Sequence, residues 1–436
     1  MARAWIIERE TIALLVIPLA AAQLILAAPH VSRRDTAPTV LPSSIGQNLG
    51  QYSPYFNVAT YTPFPTACSL TQVNILERHG ARYPTGSASK LLKATIKKLQ
   101  KDHSIGKDTL VKLGAEESHD AGGTAYQRYG SFLATSGKDP FVCTTAASRC
   151  VDSAANWTQG LQEASHGSIA LAPPLVFPEK NFNNTLDNHN CPAYSEDAST
   201  QILQDLATRN FPPTTSRLNS YLNKPVLDDL DTANLMEMCA FESVDKSPFC
   251  DLFQTEEWPL FEYYADLDKF YGTGYGNALG PIQGVGYVNE LIARLTGNPV
   301  SDGTNTNRTL TSDPTTFPFD RPLYADFSHD SEIAAITSAL GLFREPGGAM
   351  LSTTTVDPKR AWVFSRISPF AGRMVVERLR CGGEVKVRIL VDDAVQKLEF
   401  CEGVTSDGLC PLAAFVQSQS FATSNGNGKW GTCFTS

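Results

Sequence analysis

The chain has 436 residues, of which 42% are hydrophobic and 19% charged, and its formal net charge is −9. This length predicts two or three domains, or one large domain with insertions. The composition excludes a disordered polyampholyte, a coiled coil and a polytopic membrane protein. The acidic balance argues against nucleic acid as a partner, although a local basic pocket can still bind an anion.

The first 34 residues are typical of a targeting segment. An apolar run from Thr11 to Ala28 predicts a cleaved secretory signal peptide, and Arg33-Arg34 offers a propeptide cleavage point. The alternative is an uncleaved membrane anchor, since eighteen apolar residues can span a thinned bilayer. We therefore expect a secreted, extracellular protein that contacts a membrane only if this segment is retained.

The cysteines and glycosylation sequons indicate the same compartment. Ten cysteines without a CxxC pair or zinc-finger spacing predict disulfides and no metal site. Three sequons predict N-linked glycans on a secreted chain. The cysteines are residues 68, 143, 150, 191, 239, 250, 381, 401, 410 and 433, and the sequon residues are Asn156, Asn183 and Asn307.

Polar residues follow the first predicted strand. Residues 35–56, rich in Pro, Ser, Gly and Asn, predict an extended arm on the surface. Thr71–Leu76 then predicts a β-strand, and Ser87–Lys101 has the apolar spacing of a helix. Arg78 and His79 therefore lie where a strand ends.

The same strand-to-helix step occurs twice more. The predicted strand Phe141–Thr145 precedes a helix over 148–161, with Arg149 near the turn. The predicted strand Leu323–Phe327 precedes a helix that His329 and Asp330 open. Because loops leaving the carboxyl ends of strands in open α/β sheets converge on one crevice, we expect the three polar clusters to meet.

The middle of the chain differs from both ends. Helical stretches such as Ser199–Thr208 and Gly286–Leu295 alternate with loops rich in Pro, Gly and Asn. Strands return at Arg373–Leu379 and Val385–Val391. The predicted fold class is α/β, with a mixed sheet flanked by helices and a second, smaller, mostly α-helical domain. We assign 35–86, 138–190 and 315–436 to the α/β core, and 87–137 and 191–314 to the inserted helical domain.

The run from Arg78 to Pro84, RHGARYP, places two guanidiniums around one imidazole. Arginine offers planar paired donors that suit phosphate. The guanidiniums disfavour protonation of His79, which leaves a ring lone pair free to attack phosphorus. The alternative is an ordinary histidine between surface arginines, but RHGxRxP fixes five residue types and arises by chance in about one chain of this length in ten thousand.

Together with Ser328-His329-Asp330, this motif resembles the histidine acid phosphatase family and, within it, the secreted fungal phytases. Long matching stretches include TQVNILERHGARYPT at 71–85, GNALGPIQGVGYVNELIARLT at 276–296 and TFPFDRPLYADFSHD at 316–330. The resemblance covers the chain from about Leu49 to the C-terminus. It implies a histidine phosphatase-like fold that hydrolyses phytate (myo-inositol hexakisphosphate) or other phosphomonoesters through a phosphohistidine, without a metal or other cofactor. We also expect a monomer.

The resemblance assigns roles to individual residues. His79 is the nucleophile, and Asp330 gives a proton to the leaving oxygen; the alternative for Asp330 is a carboxylate that only stabilises the start of its helix. Lys269 is as consistent with a solvated helix residue as with a substrate contact. The implied phosphate-binding residues are Arg78, Arg82, Arg149 and His329, and the implied substrate-binding residues are Gln51, Tyr52 and Lys269.

Two departures from the family keep other functions open. Ser331 follows the His-Asp pair where Asn is usual, and the region between Lys101 and Gly114 is short, although Lys107 and Lys112 offer replacement charges. A broad-specificity acid phosphatase is therefore an alternative. An alternative of another class is a non-catalytic secreted glycoprotein that binds anions.

The resemblance also implies disulfide pairs. By elimination, the two remaining cysteines, Cys143 and Cys150, are expected to form a fifth bridge that stiffens the loop around Arg149. Such a bridge requires a turn, because an extended step of this length spans about 23 Å. The four implied pairs are Cys68 with Cys381, Cys191 with Cys433, Cys239 with Cys250, and Cys401 with Cys410.

Overall fold

The computed structural model describes residues 41–99, 106–169, 171–179, 182–241 and 247–435. The predicted signal peptide and propeptide, and the start of the predicted arm, lie outside these residues. Across the described ranges, no helix combines the length and the apolar character that a membrane crossing requires.

One mixed sheet organises the described chain, as the sequence predicts. Its strands are β1 Cys68–Arg78, β2 Phe141–Thr145, β3 Leu175–Phe177, β4 Leu323–Ser328, β5 Arg373–Cys381, β6 Glu384–Val391, β7 Ala394–Val395 and β8 Cys410–Pro411. The order is β3-β2-β4-β1-β5-β6-β7, with β8 also paired to β6. Strands β3, β2, β4 and β1 are mutually parallel, whereas β5 to β8 pair antiparallel.

Helices cover both faces of the sheet. They are α1 Ser43–Gly46, α2 Gly86–Lys98, α3 Lys112–Ser136, α4 Ser148–Ala164, α5 Thr200–Asn210, α6 Pro212–Ser220, α7 Asp229–Phe241, α8 Trp258–Gly272, α9 Gly280–Gln283, α10 Val285–Thr296, α11 Arg308–Thr311, α12 Asp330–Ala339, α13 Leu412–Ser418 and α14 Ser420–Thr423. Side chains alternate between the faces along a strand, so neighbouring β1 residues enter different cores. Ile75 packs with Trp157 of α4, while Leu76 packs with Ile336 of α12.

A further apolar cluster holds the remaining helices together. Leu92 of α2 packs in it with Met236 of α7 and Phe261 of α8. Helix α3 lies elsewhere, since Tyr129 packs with α4 against the sheet. The boundaries of the inserted helical domain stay a prediction.

The predicted surface arm is wrong for residues 49–53. Leu49, Gln51 and Ser53 are buried. The Gly50 N–H donates to Glu262 Oε2 of α8 at 2.6 Å, and Ser53 O accepts from the Phe370 N–H at 2.9 Å. Main-chain hydrogen bonds to the rest of the protein therefore hold this polar segment in the interior.

The structure contains the four disulfides implied by the resemblance: Cys68–Cys381, Cys191–Cys433, Cys239–Cys250 and Cys401–Cys410. The expected fifth bridge is wrong, because Cys143 and Cys150 are free, buried thiols. Each thiol has its own polar neighbour. Cys143 Sγ donates to Asp326 Oδ1 at 2.9 Å, and Cys150 Sγ lies 3.4 Å from the Ser328 carbonyl oxygen.

Candidate active site

The carboxyl ends of three parallel strands meet at one edge of the sheet. Arg78 at the end of β1 is in register with Ser328 at the end of β4, and Thr144 of β2 is in register with Phe327. The loops after these strands lead to His79, to Arg149 and to the His329-Asp330 pair. The structure therefore brings the three predicted clusters together.

Close main-chain contact fixes the loop after β1. A Cβ atom on Gly80 would lie 2.1 Å from the Gly114 carbonyl oxygen, so only glycine fits there. Glu117 of α3 accepts the Ala81 N–H at 2.9 Å through Oε2 and the Tyr55 N–H at 2.8 Å through Oε1. The His79 loop is thus held against the N-terminal turns of α3.

His79 presents one ring nitrogen to the site. Its Nδ1 lies 2.9 Å from the Gly80 carbonyl oxygen, which can only accept, so Nδ1 carries the proton. Nε2 is buried without a hydrogen-bond partner. Burial lowers the pKa of His79 well below its usual value, and Arg78 and Arg82 lower it further. The imidazole is therefore neutral, with an available lone pair on Nε2.

Three arginines, all close enough to His79 to lower its pKa, keep unused donors. Arg78 Nη1 donates to the Gln51 and Ser368 carbonyl oxygens, and the guanidinium carbon lies 4.5 Å from the centre of the Phe370 ring. Nitrogens without a hydrogen-bond partner remain on each guanidinium: Arg78 Nε and Nη2, Arg82 Nε and Arg149 Nε. Buried guanidinium donors without partners are suited to an entering oxyanion.

Asp330 faces cations from two elements. Its Oδ2 lies 2.9 Å from Lys269 Nζ and 3.6 Å from Arg78 Nη2. Lys269 Nζ also donates to Ser331 Oγ at 3.0 Å, and its side chain is only 8% exposed, so the solvated-lysine alternative is wrong. Burial acts to raise the pKa of Asp330, but these cations hold it well below its usual range. Asp330 is therefore a carboxylate in this structure.

His329 is held by a residue that the sequence did not indicate. Its Nε2 lies 3.1 Å from Glu179 Oε1, and its Nδ1 lies 3.2 Å from Arg149 Nη2. The His329 and His79 ring centres are 5.7 Å apart. Glu179 follows the three-residue strand β3 and belongs to no recognisable motif, so the local sequence does not indicate that it lies in the site.

The remaining predicted residues line the same region through different groups. Gln51 contributes its carbonyl oxygen to Arg78, while its side chain donates to Asp268 Oδ2 at 3.1 Å. The Tyr52 ring lies 4.8 Å from the Phe241 ring, centre to centre. Their contact with substrate stays a prediction. Within the described ranges, no cluster of three His, Cys, Asp or Glu residues has the geometry to hold a metal ion.

Buried carboxyl groups lie beneath the site. Glu77 is fully buried, its nearest cation, Arg373 Nη1, is 3.8 Å from Oε2, and neither carboxyl oxygen has a hydrogen-bond partner. Burial raises the pKa of Glu77 to about 8 and that of Glu117 to about 7. Near neutral pH, folded Glu77 is therefore largely protonated and Glu117 about half-protonated, and both lose these protons on unfolding.

We expect the free energy of unfolding to fall as the pH rises from about 6.5 to about 8. Over this interval, unfolded carboxyl groups have already lost their protons, whereas folded Glu77 still holds one. Unfolded histidines are half-protonated at the lower end of the interval, so the slope of Glu77 is clearest above about pH 7.5. Each such proton contributes about 1.4 kcal/mol per pH unit. Denaturant unfolding at several pH values measures the slope.

The Glu77→Gln variant should flatten this slope, because an amide mimics the protonated carboxyl and does not titrate. Glu384→Gln is the matched control, since the Glu384 side chain is 54% exposed and pairs with Lys386 at 3.2 Å. Equal slopes for wild type and Glu77→Gln would contradict the assignment.

Comparison with known proteins places these features in a family. The model of the histidine phosphatase superfamily (branch 2) matches residues 69–392. A phytase A from Aspergillus terreus is 40% identical over 89% of this chain and 91% of its own length. A phytase A from Emericella nidulans is 37% identical over 88% and 90%.

Solved structures show the same fold. The phytase from D. castellii superposes with a TM-score of 0.71 at 21% identity, covering 87% of this chain and 85% of that one. A Bifidobacterium longum multiple inositol polyphosphate phosphatase in complex with inositol hexasulfate gives a TM-score of 0.61 at 13% identity, covering 86% and 98%.

Proposed function

The chain belongs to the histidine phosphatase superfamily (branch 2), and from this premise we propose that it is a secreted phytase. It hydrolyses phytate to lower inositol phosphates and phosphate. The observation that carries the proposal is the buried, partnerless Nε2 of His79 among guanidinium nitrogens that also have no partner. A nucleophile inside a cage of unused cationic donors suits transfer of a phosphoryl group.

The reaction has two steps. His79 Nε2 attacks phosphorus, the bond between phosphorus and the ester oxygen breaks, and protonated Asp330 gives its proton to the departing oxygen. Water then attacks the phosphohistidine, Asp330 takes a proton from that water, and the bond between nitrogen and phosphorus breaks. Phosphate leaves and the neutral imidazole returns.

Substrate binding favours the protonated form of Asp330 that the first step needs, and the proton comes from solvent. In the structure the carboxylate of Asp330 is stabilised by Arg78 and Lys269. An entering phosphate carries negative charge close to this carboxylate and pairs with the same cations, which raises the pKa of Asp330. Activity is therefore highest at acidic pH.

Exposed lysines beside the site support a substrate with several phosphates. The Tyr83 N–H donates to the Thr109 carbonyl oxygen, so the segment around 109 pairs with the catalytic loop. Lys107 and Lys112 on this segment have side chains 64% and 50% exposed, and they lie 3.8 Å from Asp108 and 3.4 Å from Glu116, respectively, in ion pairs that a phosphate can replace. These ammonium groups can attract the phosphates of phytate that are not being cleaved.

The disulfides and the predicted glycans support an extracellular location. Asn183 is exposed, whereas Asn156 and Asn307 are half-buried. Asn307 Oδ1 accepts the Thr309 N–H at 3.1 Å, which leaves its amide nitrogen for a glycan. Secretion, glycosylation and a monomeric state are parts of this proposal.

Phosphate release from phytate and from p-nitrophenyl phosphate tests the function. We expect hydrolysis of both at acidic pH, with the higher kcat/KM for phytate. A higher kcat/KM for p-nitrophenyl phosphate would favour the broad-specificity acid phosphatase. Release from neither substrate by folded protein would favour the non-catalytic anion-binding glycoprotein.

A further inference from the structure

The contacts of His329 define which ring nitrogen carries its proton. The Arg149 guanidinium can only donate, so Nδ1 of His329 accepts from it at 3.2 Å. Nε2 therefore carries the proton and donates to Glu179 Oε1 at 3.1 Å. The neutral ring is thus held in one tautomer by partners on both sides.

Glu179 is itself fixed by the elements that carry the phosphate-binding residues. Its Oε1 accepts from Thr145 Oγ1 at 2.5 Å, at the end of β2, and from the Ala147 N–H at 3.3 Å, directly before α4. The hydrogen bond from His329 lowers the pKa of Glu179 to about 2. A fixed negative charge therefore lies behind the ring throughout the working pH range.

A phosphate bound by Arg78, Arg82 and Arg149 changes the hydrogen-bonding role of His329 Nδ1 from acceptor to donor. Once Arg149 Nη2, together with the partnerless Nε, donates to phosphate oxygens, Nδ1 of His329 loses its donor and faces an anion with its lone pair. That arrangement is repulsive unless Nδ1 takes up a proton and becomes a donor. Phosphate binding is then coupled to protonation of His329, and the nearby carboxylate stabilises the imidazolium.

We propose that Glu179 is a positioning residue that holds the His329 tautomer and stabilises its imidazolium when phosphate binds, and so sets the upper pH limit of phosphate binding. This inference rests on the proposed function. Other charged or titratable groups also face His329 from each neighbouring element. They are Arg149 and Cys150 of α4, Asp330 of α12, and His79 after β1.

The test measures the affinity of the full chain for inorganic phosphate by titration calorimetry from about pH 4 to about pH 8. In Glu179→Gln, we expect affinity near that of wild type at the acidic end, and loss of affinity beginning at a pH lower by about one unit or more. Proton uptake on binding, obtained from buffers of different ionisation enthalpy, should shift in parallel.

Glu163→Gln is the matched control. His119 Nε2 lies 3.1 Å from Glu163 Oε2, the same separation, near the opposite end of α4 from Arg149. This variant should reproduce the wild-type pH profile. Glu179→Asp, which keeps the charge on a shorter side chain, should recover part of the lost pH range and serves as the test if Glu179→Gln does not fold.

Two results would overturn the inference. Loss of affinity by the same factor at every pH would show that Glu179 is only structural, and an unchanged profile would show that it does not act through His329. Failure of the proposed function has a different signature: wild-type protein would release no phosphate from phytate or p-nitrophenyl phosphate, or would have the higher kcat/KM for p-nitrophenyl phosphate.

Discussion

Alanine at position 79 is expected to lower the turnover of phytate and of p-nitrophenyl phosphate by about 10⁴-fold or more. The substitution removes the nitrogen that attacks phosphorus, and no other partnerless imidazole nitrogen lies within the described site. Affinity for inorganic phosphate should largely persist, because the guanidinium cage remains. Steady-state kinetics measure the loss of turnover, and calorimetry measures phosphate affinity.

Trapping the intermediate makes this prediction specific. Alkali-quenched wild-type protein should contain one phosphohistidine, whose bond between nitrogen and phosphorus is stable in alkali and labile in acid, and His79→Ala should lack it. His119→Ala is the control, since that histidine pairs with Glu163 outside the site. Normal turnover by well-folded His79→Ala protein would refute the mechanism.

Replacing Asp330 by asparagine should have the second largest effect, and its size should depend on the leaving group. An inositol oxygen is a poor leaving group, so its first-turnover cleavage should slow by about 10²- to 10⁴-fold. p-Nitrophenolate leaves without a proton, so its release in the first turnover should change little. Rapid-mixing measurements of single turnovers separate the two substrates.

Asp320→Asn is the control, because this carboxylate is 59% exposed and pairs with Lys138 at the surface. In Asp330→Asn, phosphoenzyme should accumulate on p-nitrophenyl phosphate, since Asp330 also accepts the proton of the attacking water. Equal slowing of both first turnovers would show that Asp330 has no role as an acid.

The candidate catalytic residues were accessible from the sequence because they follow strands that end in short, recognisable motifs. RHGxRxP marks the end of β1, and the His-Asp pair marks the end of β4. Parallel strands place such ends at one edge, so convergence follows from topology alone. The predicted strands at 71–76, 141–145 and 323–327 lie within β1, β2 and β4.

Other parts of the site depend on contacts that leave no local signal. Gln51 supports Arg78 through a main-chain oxygen, which every residue possesses. Glu179 meets His329 only because β2, β3 and β4 are neighbours in the sheet. The expected bridge between Cys143 and Cys150 rested on elimination, and it is wrong because each buried thiol contacts a separate polar partner on β4, Asp326 for Cys143 and the Ser328 carbonyl oxygen for Cys150.

The anchoring of Arg78 has a consequence for biosynthesis. The guanidinium donates hydrogen bonds to the carbonyl oxygens of Gln51 and Ser368, which belong to early and late parts of the chain. When His79 leaves the ribosome, the residue that completes its cage has not yet been translated. During synthesis the growing polypeptide therefore cannot cleave cellular phosphate esters. It gains this activity only after the segment around Ser368 has been translated and has folded onto Arg78.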